Sequence, residues 1–113
     1  MLKPSQELLA VLGNISETEY NQQAMICISD LRSKIPQMQN ALAKHDFKEL
    51  AALCLRIRAG TSTLHMDTLV SLAGAIMLKA RNAPEINLLS ELVRQLLVEV
   101  QNMDLELKNG MNQ

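Results

Sequence analysis

The residues able to do chemistry are few: His45 and His65 are the two histidines, and Cys27 and Cys54 the two cysteines. None of them falls into a His-x-x-x-His or Cys-x-x-Cys spacing, which would put two ligands on one helix face or one turn. No metal site and no cofactor site is therefore expected. Gly60-Thr61-Ser62-Thr63 gathers hydroxyls, but it matches neither the Gly-x-x-x-x-Gly-Lys loop that cradles phosphates nor the Gly-x-Ser-x-Gly elbow of a nucleophile. Small residues there suit a close approach of two helices. His45 reads as a helix-terminal residue and His65 as a turn residue, since lone histidines are weak signals. With no nucleophile, base or ligand set, the sequence predicts a binding protein rather than an enzyme.

The elements that carry these residues read as helices. Pro4-Ser5 opens a short first helix with Leu8, Leu9 and Leu12, closed by Gly13-Asn14, as a lid on the rest. Ser16 and Glu19 form a capping box. After it Tyr20, Ala24, Cys27, Leu31, Met38 and Leu42 recur at helical spacing to about His45. Pro36 inside that run predicts a kink near Ser33 to Ile35. Asp46 caps a helix whose stripe is Phe47, Leu50, Cys54, Ile57 and Leu64, and Asp67 caps another reaching about Arg81 through Leu69, Leu72, Ala73, Ile76 and Ala80. The short link makes these two antiparallel neighbours. Pro84 is expected at the first position of a last helix, where Ile86, Leu89, Val93, Leu96, Val100, Met103 and Leu107 alternate steps of three and four as far as Gly110. The expected fold class is all-α: an up-and-down four-helix bundle with a short extra N-terminal helix, one domain over residues 1–113.

Composition narrows the partners. Apolar residues make up 48% of the chain but aromatics only 2%, a mix that favours helix packing over a β-sandwich. A net charge of −1 supplies no field to recruit nucleic acid, and side chains for stacking on bases are missing. The longest uncharged run, Thr68 to Leu78, is too short to span a bilayer, and the start lacks the apolar stretch of a signal peptide. Two lone cysteines in apolar surroundings fit free thiols in a reducing compartment, so a cytoplasmic protein without nucleic-acid or membrane partners is expected.

One residue stands out of phase. At 100° per residue Leu55 falls well outside the stripe of its helix, so it is expected to be exposed. Lys48, Ala51, Ala52, Arg58, Ala59 and Ser62 share its arc. A leucine in a bed of small residues with basic flanks lets another helix or an acidic protein face approach closely.

This segment resembles a known family. Leu53-Cys54-Leu55-Arg56-Ile57-Arg58-Ala59 followed by Leu64-His65-Met66-Asp67-Thr68-Leu69 is similar to the signature of histidine-containing phosphotransfer (HPt) domains, Ala-His-x-Leu-Lys-Gly and then Leu-Gly-Ala with a Leu three positions on. The likeness extends to the approach, Ala41 to Asp46, and to the helix plan from about Glu19 to Val100. It implies an HPt-like bundle whose partners are the receiver domain of a response regulator or a hybrid histidine kinase. The position of the phosphorylated histidine holds Leu55, which has no nitrogen to accept a phosphoryl group. Arg58 stands for the Lys of the motif, Ala59 for its Gly, and His65 for the Gly before the next helix. The expectation is an HPt-like docking module without phosphoryl chemistry. Two alternatives remain: a structural or homodimeric module using residues 68–78, with Val70 and Met77 outside the main stripe, and a phosphotransfer protein using His65 or His45.

Overall fold

Each turn of this chain is closed by residues whose chemistry suits the place. In the computed structural model, which describes residues 1–109, Ser5 accepts a hydrogen bond from the Leu8 N–H at 3.1 Å and starts α1 (Gln6–Val11). Gly13 and Asn14 then reverse the chain with φ of +96° and +59°, a region open to glycine and tolerated by asparagine. Ser16 accepts from the Glu19 N–H at 3.0 Å and opens α2 (Glu17–Ala43).

The ends of α2 and of α3 (Phe47–Thr63) are built alike. His45 and His65 each take φ of +54°. At the first end the His45 N–H donates to the Leu42 carbonyl at 3.0 Å and the Asp46 N–H to Ala41 at 2.8 Å; at the second, His65 donates to Ser62 at 3.0 Å and Met66 to Thr61 at 3.0 Å. This is the Schellman ending, which satisfies carbonyls that a helix terminus would otherwise orphan. Asp46 goes on to cap α3, accepting from the Glu49 N–H at 3.1 Å. At α4 (Asp67–Asn82) the capping residue is Met66, with no side-chain hydrogen bond, and Asp67 is the first helical residue instead of the cap. Its carboxylate still sits in the first turn, where the helix dipole favours it. The last helix, α5 (Ile86–Asn109), begins two residues beyond Pro84, with the Glu85 carbonyl accepting from the Leu89 N–H at 2.9 Å. The expected end at Gly110 lies outside the described residues.

α2 runs without a break through Pro36. Its 27 residues set the long dimension of the molecule, 42 Å, against about 40 Å for an ideal helix of that length. The protein is all-helical among the described residues, with five helices. α3 packs most extensively on α4, α2 lies against both α3 and α5, and α4 closes the circuit on α5. α3 and α5 thus stand at opposite corners. Inside lie Ile28, Leu31, Met38, Leu50, Leu53, Leu69, Ile76, Leu89, Leu96 and Val100, all fully buried or nearly so. On α2 the inner stripe runs through Ile28 and Ile35, leaving Cys27 only half-buried. No helix of the described residues is long and apolar enough to cross a membrane.

Two buried polar side chains tie the assembly together. Asn21 accepts from the Leu2 N–H at 2.8 Å and donates to the Leu2 carbonyl at 2.9 Å and the Glu17 carbonyl at 2.8 Å, so one amide holds the N-terminal segment against α2. Tyr20 donates its hydroxyl to the Leu64 carbonyl at 2.9 Å, pinning the start of α2 to the end of α3. Burial pushes the Tyr20 phenol above its ordinary value, with Cys27 and Asp67 adding in the same direction.

A candidate protein-docking face on α3

α3 turns Leu50, Leu53, Cys54, Ile57 and Thr61 to the core. Leu55, 200° from Leu53 at helical pitch, is 49% exposed. Lys48, Arg58, Ala59 and Ser62 are exposed around it, and Ala52 is partly covered. Ala51 does not belong to this surface: it is buried. It shares the flank of the arc with Arg58, on the side where α4 packs, while Ala59 on the far side of the arc stays exposed. The solvent-facing strip of α3 is therefore narrower than helical phase alone predicts.

Arg58 explains how α4 fits so closely beside a charged helix. A methyl group placed on Gly74 would come 3.9 Å from the Arg58 Nε, so the guanidinium end of the arginine reaches to α4 at the seam between the two helices, while the residue stays exposed. Among the described residues neither Lys48 nor Arg58 lies within ion-pair distance of a carboxylate. Both charges are open to a partner.

The histidines stand apart from this face. Leu55 is ten residues from His45 and ten from His65, about 15 Å along the helix axis in each direction. Both are exposed at chain reversals. The His45 ring leans on Phe47, with centroids 5.7 Å apart and planes at 57°. Each histidine adopts a left-handed backbone that costs a non-glycine residue roughly 1–2 kcal/mol, repaid by the hydrogen bonds of the helix ending.

Neither thiol is activated. Cys54 is fully buried, and desolvation pushes its thiol up to about 12. Burial also raises Cys27, Asp30 nearby adds to the rise, and Lys34 opposes it. A reactive cysteine needs the opposite shift. No group of three or more His, Cys, Asp or Glu side chains is placed to hold a metal ion among the described residues.

The hydroxyl-rich stretch divides by phase. Thr61 is buried and donates to the Ile57 carbonyl at 2.8 Å, while Gly60 is exposed and has room for a methyl group, its nearest neighbour being the Cys27 Sγ at 4.0 Å. Gly74 likewise has room for a methyl group, so neither glycine is required by a close approach of helices. On α4, Met77 is buried, so the exposed residues of 68–78 are Thr68, Ser71, Ala75 and Leu78, with Val70 partly covered. Met77 drops out of any dimer face because the contact of α4 with α3 takes it inside.

No family model, no curated protein and no solved structure matches this chain.

Proposed function

We propose that this protein is an HPt-like docking module: an up-and-down bundle of α2 to α5 that engages an acidic receiver domain, or a histidine kinase carrying one, without exchanging phosphate. One observation carries the reading. An exposed leucine stands at the middle of α3, with small side chains beside it and the unpaired cations Lys48 and Arg58 at its edges. A buried apolar anchor with charges at its rim is the usual division of labour in protein recognition, the anchor supplying affinity and the rim steering and register. The resemblance of residues 46–69 to the HPt signature supplies the identity of the partner, and Leu55 at the position of its histidine supplies the absence of chemistry.

The arrangement of the helices supports the same reading. Short connections between α2 and α3 and between α3 and α4, and the packing of each long helix on two neighbours, suit an up-and-down bundle. On this reading the protein occupies the surface of a receiver that a true phosphotransfer domain would use, and so competes with it.

The test is a titration of purified receiver domains, in the unphosphorylated and phosphorylated states, against wild type and Leu55→Asp. Wild type binds, and the variant loses about 2–4 kcal/mol, roughly 30- to 1,000-fold in affinity. No label moves from a phosphorylated receiver to the protein. Equal binding by both proteins would remove Leu55 from the interface. Label on wild type that disappears in His65→Ala or His45→Ala would replace docking with phosphotransfer.

A further inference from the structure

The presentation strip of α3 does not end at the edge of that helix. Arg58 reaches Gly74, so the line of α4 that faces this strip runs through Gly74. Arg81, seven residues on, returns to within about 20° of the same line at helical pitch. It therefore lies on the α3 side of α4, and it is exposed. Leu78, four residues beyond Gly74, is turned about 40° further toward solvent and is 57% exposed. On α3, Lys48, Leu55 and Ser62 are spaced by seven residues and form one exposed line beside Arg58.

α3 and α4 run antiparallel through a tight turn, which fixes the order of side chains along the seam. Counted away from that turn, Arg58 beside Gly74 comes first, then Leu55 and Leu78 about one turn further, then Arg81 a turn beyond Leu78 and Lys48 two turns beyond Leu55. The pair of exposed leucines is thus bracketed by cations. The side chains beside it are small: Ala59, Ser62, Ser71 and Ala75, all exposed. Among the described residues no carboxylate lies within ion-pair distance of Lys48, Arg58 or Arg81. Of the carboxylates on α3 and α4, Glu49 is on the opposite side of α3 from Arg58, and Asp67 lies about 10 Å from Gly74 toward the turn. Asp46 is engaged in capping α3, and Glu85 follows α4 without an ion pair.

We infer that the α3–α4 seam seats an acidic amphipathic helix of the partner protein, with an apolar side chain between Leu55 and Leu78 and a carboxylate on each of Arg58 and Arg81. The inference rests on the docking reading of α3 and deepens it, adding α4 to the interface and naming the element of the partner that enters. Two parallel ridges with a seam between them form the groove into which a third helix packs. Charge complementarity selects that helix. Carboxylates seven residues apart span about 10 Å, the distance along α4 from Gly74, where Arg58 reaches, to Arg81. An apolar residue three or four positions after the first carboxylate then falls at the level of the two leucines. The cations are exposed, so their share of the attraction weakens as salt shortens its reach to below ~8 Å.

The probe is a lactam-bridged helical peptide with two glutamates seven residues apart and leucines at the third and fourth positions after the first; in the control both glutamates are lysines. Fluorescence anisotropy at low salt follows the binding of each to the full chain, and the receiver titration is repeated with the same variants, whose folds circular dichroism checks. The acidic peptide binds wild type and the lysine peptide does not. Leu78→Asp and Leu55→Asp each weaken the acidic peptide by at least about tenfold. Arg81→Glu does the same, and one of the two peptides with a single glutamate changed to lysine restores its binding. A receiver released by Leu55→Asp is released by Leu78→Asp as well. Failure of the acidic peptide to bind, equal binding of the acidic and lysine peptides, or full binding by Leu78→Asp and Arg81→Glu overturns the inference. A receiver lost on Leu55→Asp but held by both α4 variants removes the seam and leaves docking on α3 in place. An acidic peptide held as expected, with no receiver bound by wild type, supports the seam and removes the docking reading alone.

Discussion

Leu53 and Leu55 are two residues apart on the same helix, yet one is sealed in the core and the other is half in water. The same contrast separates Ala51, buried, from Ala59, exposed. The leucines differ because of helical phase, since a step of two residues turns the side chain through about 200°. The alanines are closer in direction, about 80° apart on the same pitch, and differ because Ala51 lies on the flank of α3 nearer α4, whereas Ala59 faces the gap between α4 and α2. One half of α3 is therefore a packing surface and the other a presentation surface, with the boundary drawn by the neighbouring helix.

The contrast is tested most severely at Ile57. Ile57→Asp buries a carboxylate with no partner and should cost about 3–5 kcal/mol, read as a drop in the denaturant midpoint. A smaller effect would mean the inner face is wet. Next comes the flank: Ala51→Leu has to push α4 aside and should lose about 1–3 kcal/mol, whereas Ala59→Leu should stay within about 0.5 kcal/mol. Thermal unfolding of the two variants side by side would show whether the boundary runs between them.

Cys54 gives the inner face a pH signature. Its thiol is raised to about 12 when folded, whereas in the unfolded chain a thiol titrates near 8.5. Between those values the unfolded state has released its proton and the folded state has kept it, so stability is full below the lower value and falls as pH rises, by up to about 1.4 kcal/mol per pH unit. Cys54→Ala should flatten this alkaline limb in denaturant titrations at about pH 8 and about pH 10. Cys27 and Tyr20, also raised, keep a residual slope. An unchanged slope would show that Cys54 meets solvent. The smallest effect on stability belongs to Leu55→Asp, within about 0.5 kcal/mol of wild type, despite the large loss of binding expected from it. Unfolding of that variant would move Leu55 into the core and remove the presentation surface altogether.

Much of the fold was legible in the residues. Ser5, Ser16 and Asp46 mark helix starts because their side chains accept from backbone N–H groups at short range, and Gly13-Asn14 marks a reversal because it tolerates positive φ. Such interactions span a few residues, so local sequence specifies them. The sequence pattern puts the start of α4 one residue late, since Met66 caps without a side-chain bond and leaves no chemical mark, and it puts Pro84 inside α5 rather than before it. Thr61 and Asn21 carry no sequence mark of burial; their partners are backbone groups that keep a hydroxyl and an amide satisfied in the interior.

By itself the sequence determined that the chain is helical, where its helices begin and end to within a residue or two, and that Leu55 lies out of phase with the core stripe. These follow from local hydrogen bonding and from a period of 3.6 residues. Only the tertiary structure decided that Ala51 and Met77 are inside and that the Arg58 side chain lies beside Gly74 of α4. Those facts depend on which helix lies beside which, and one-dimensional periodicity fixes the direction of a side chain without fixing the neighbour it meets.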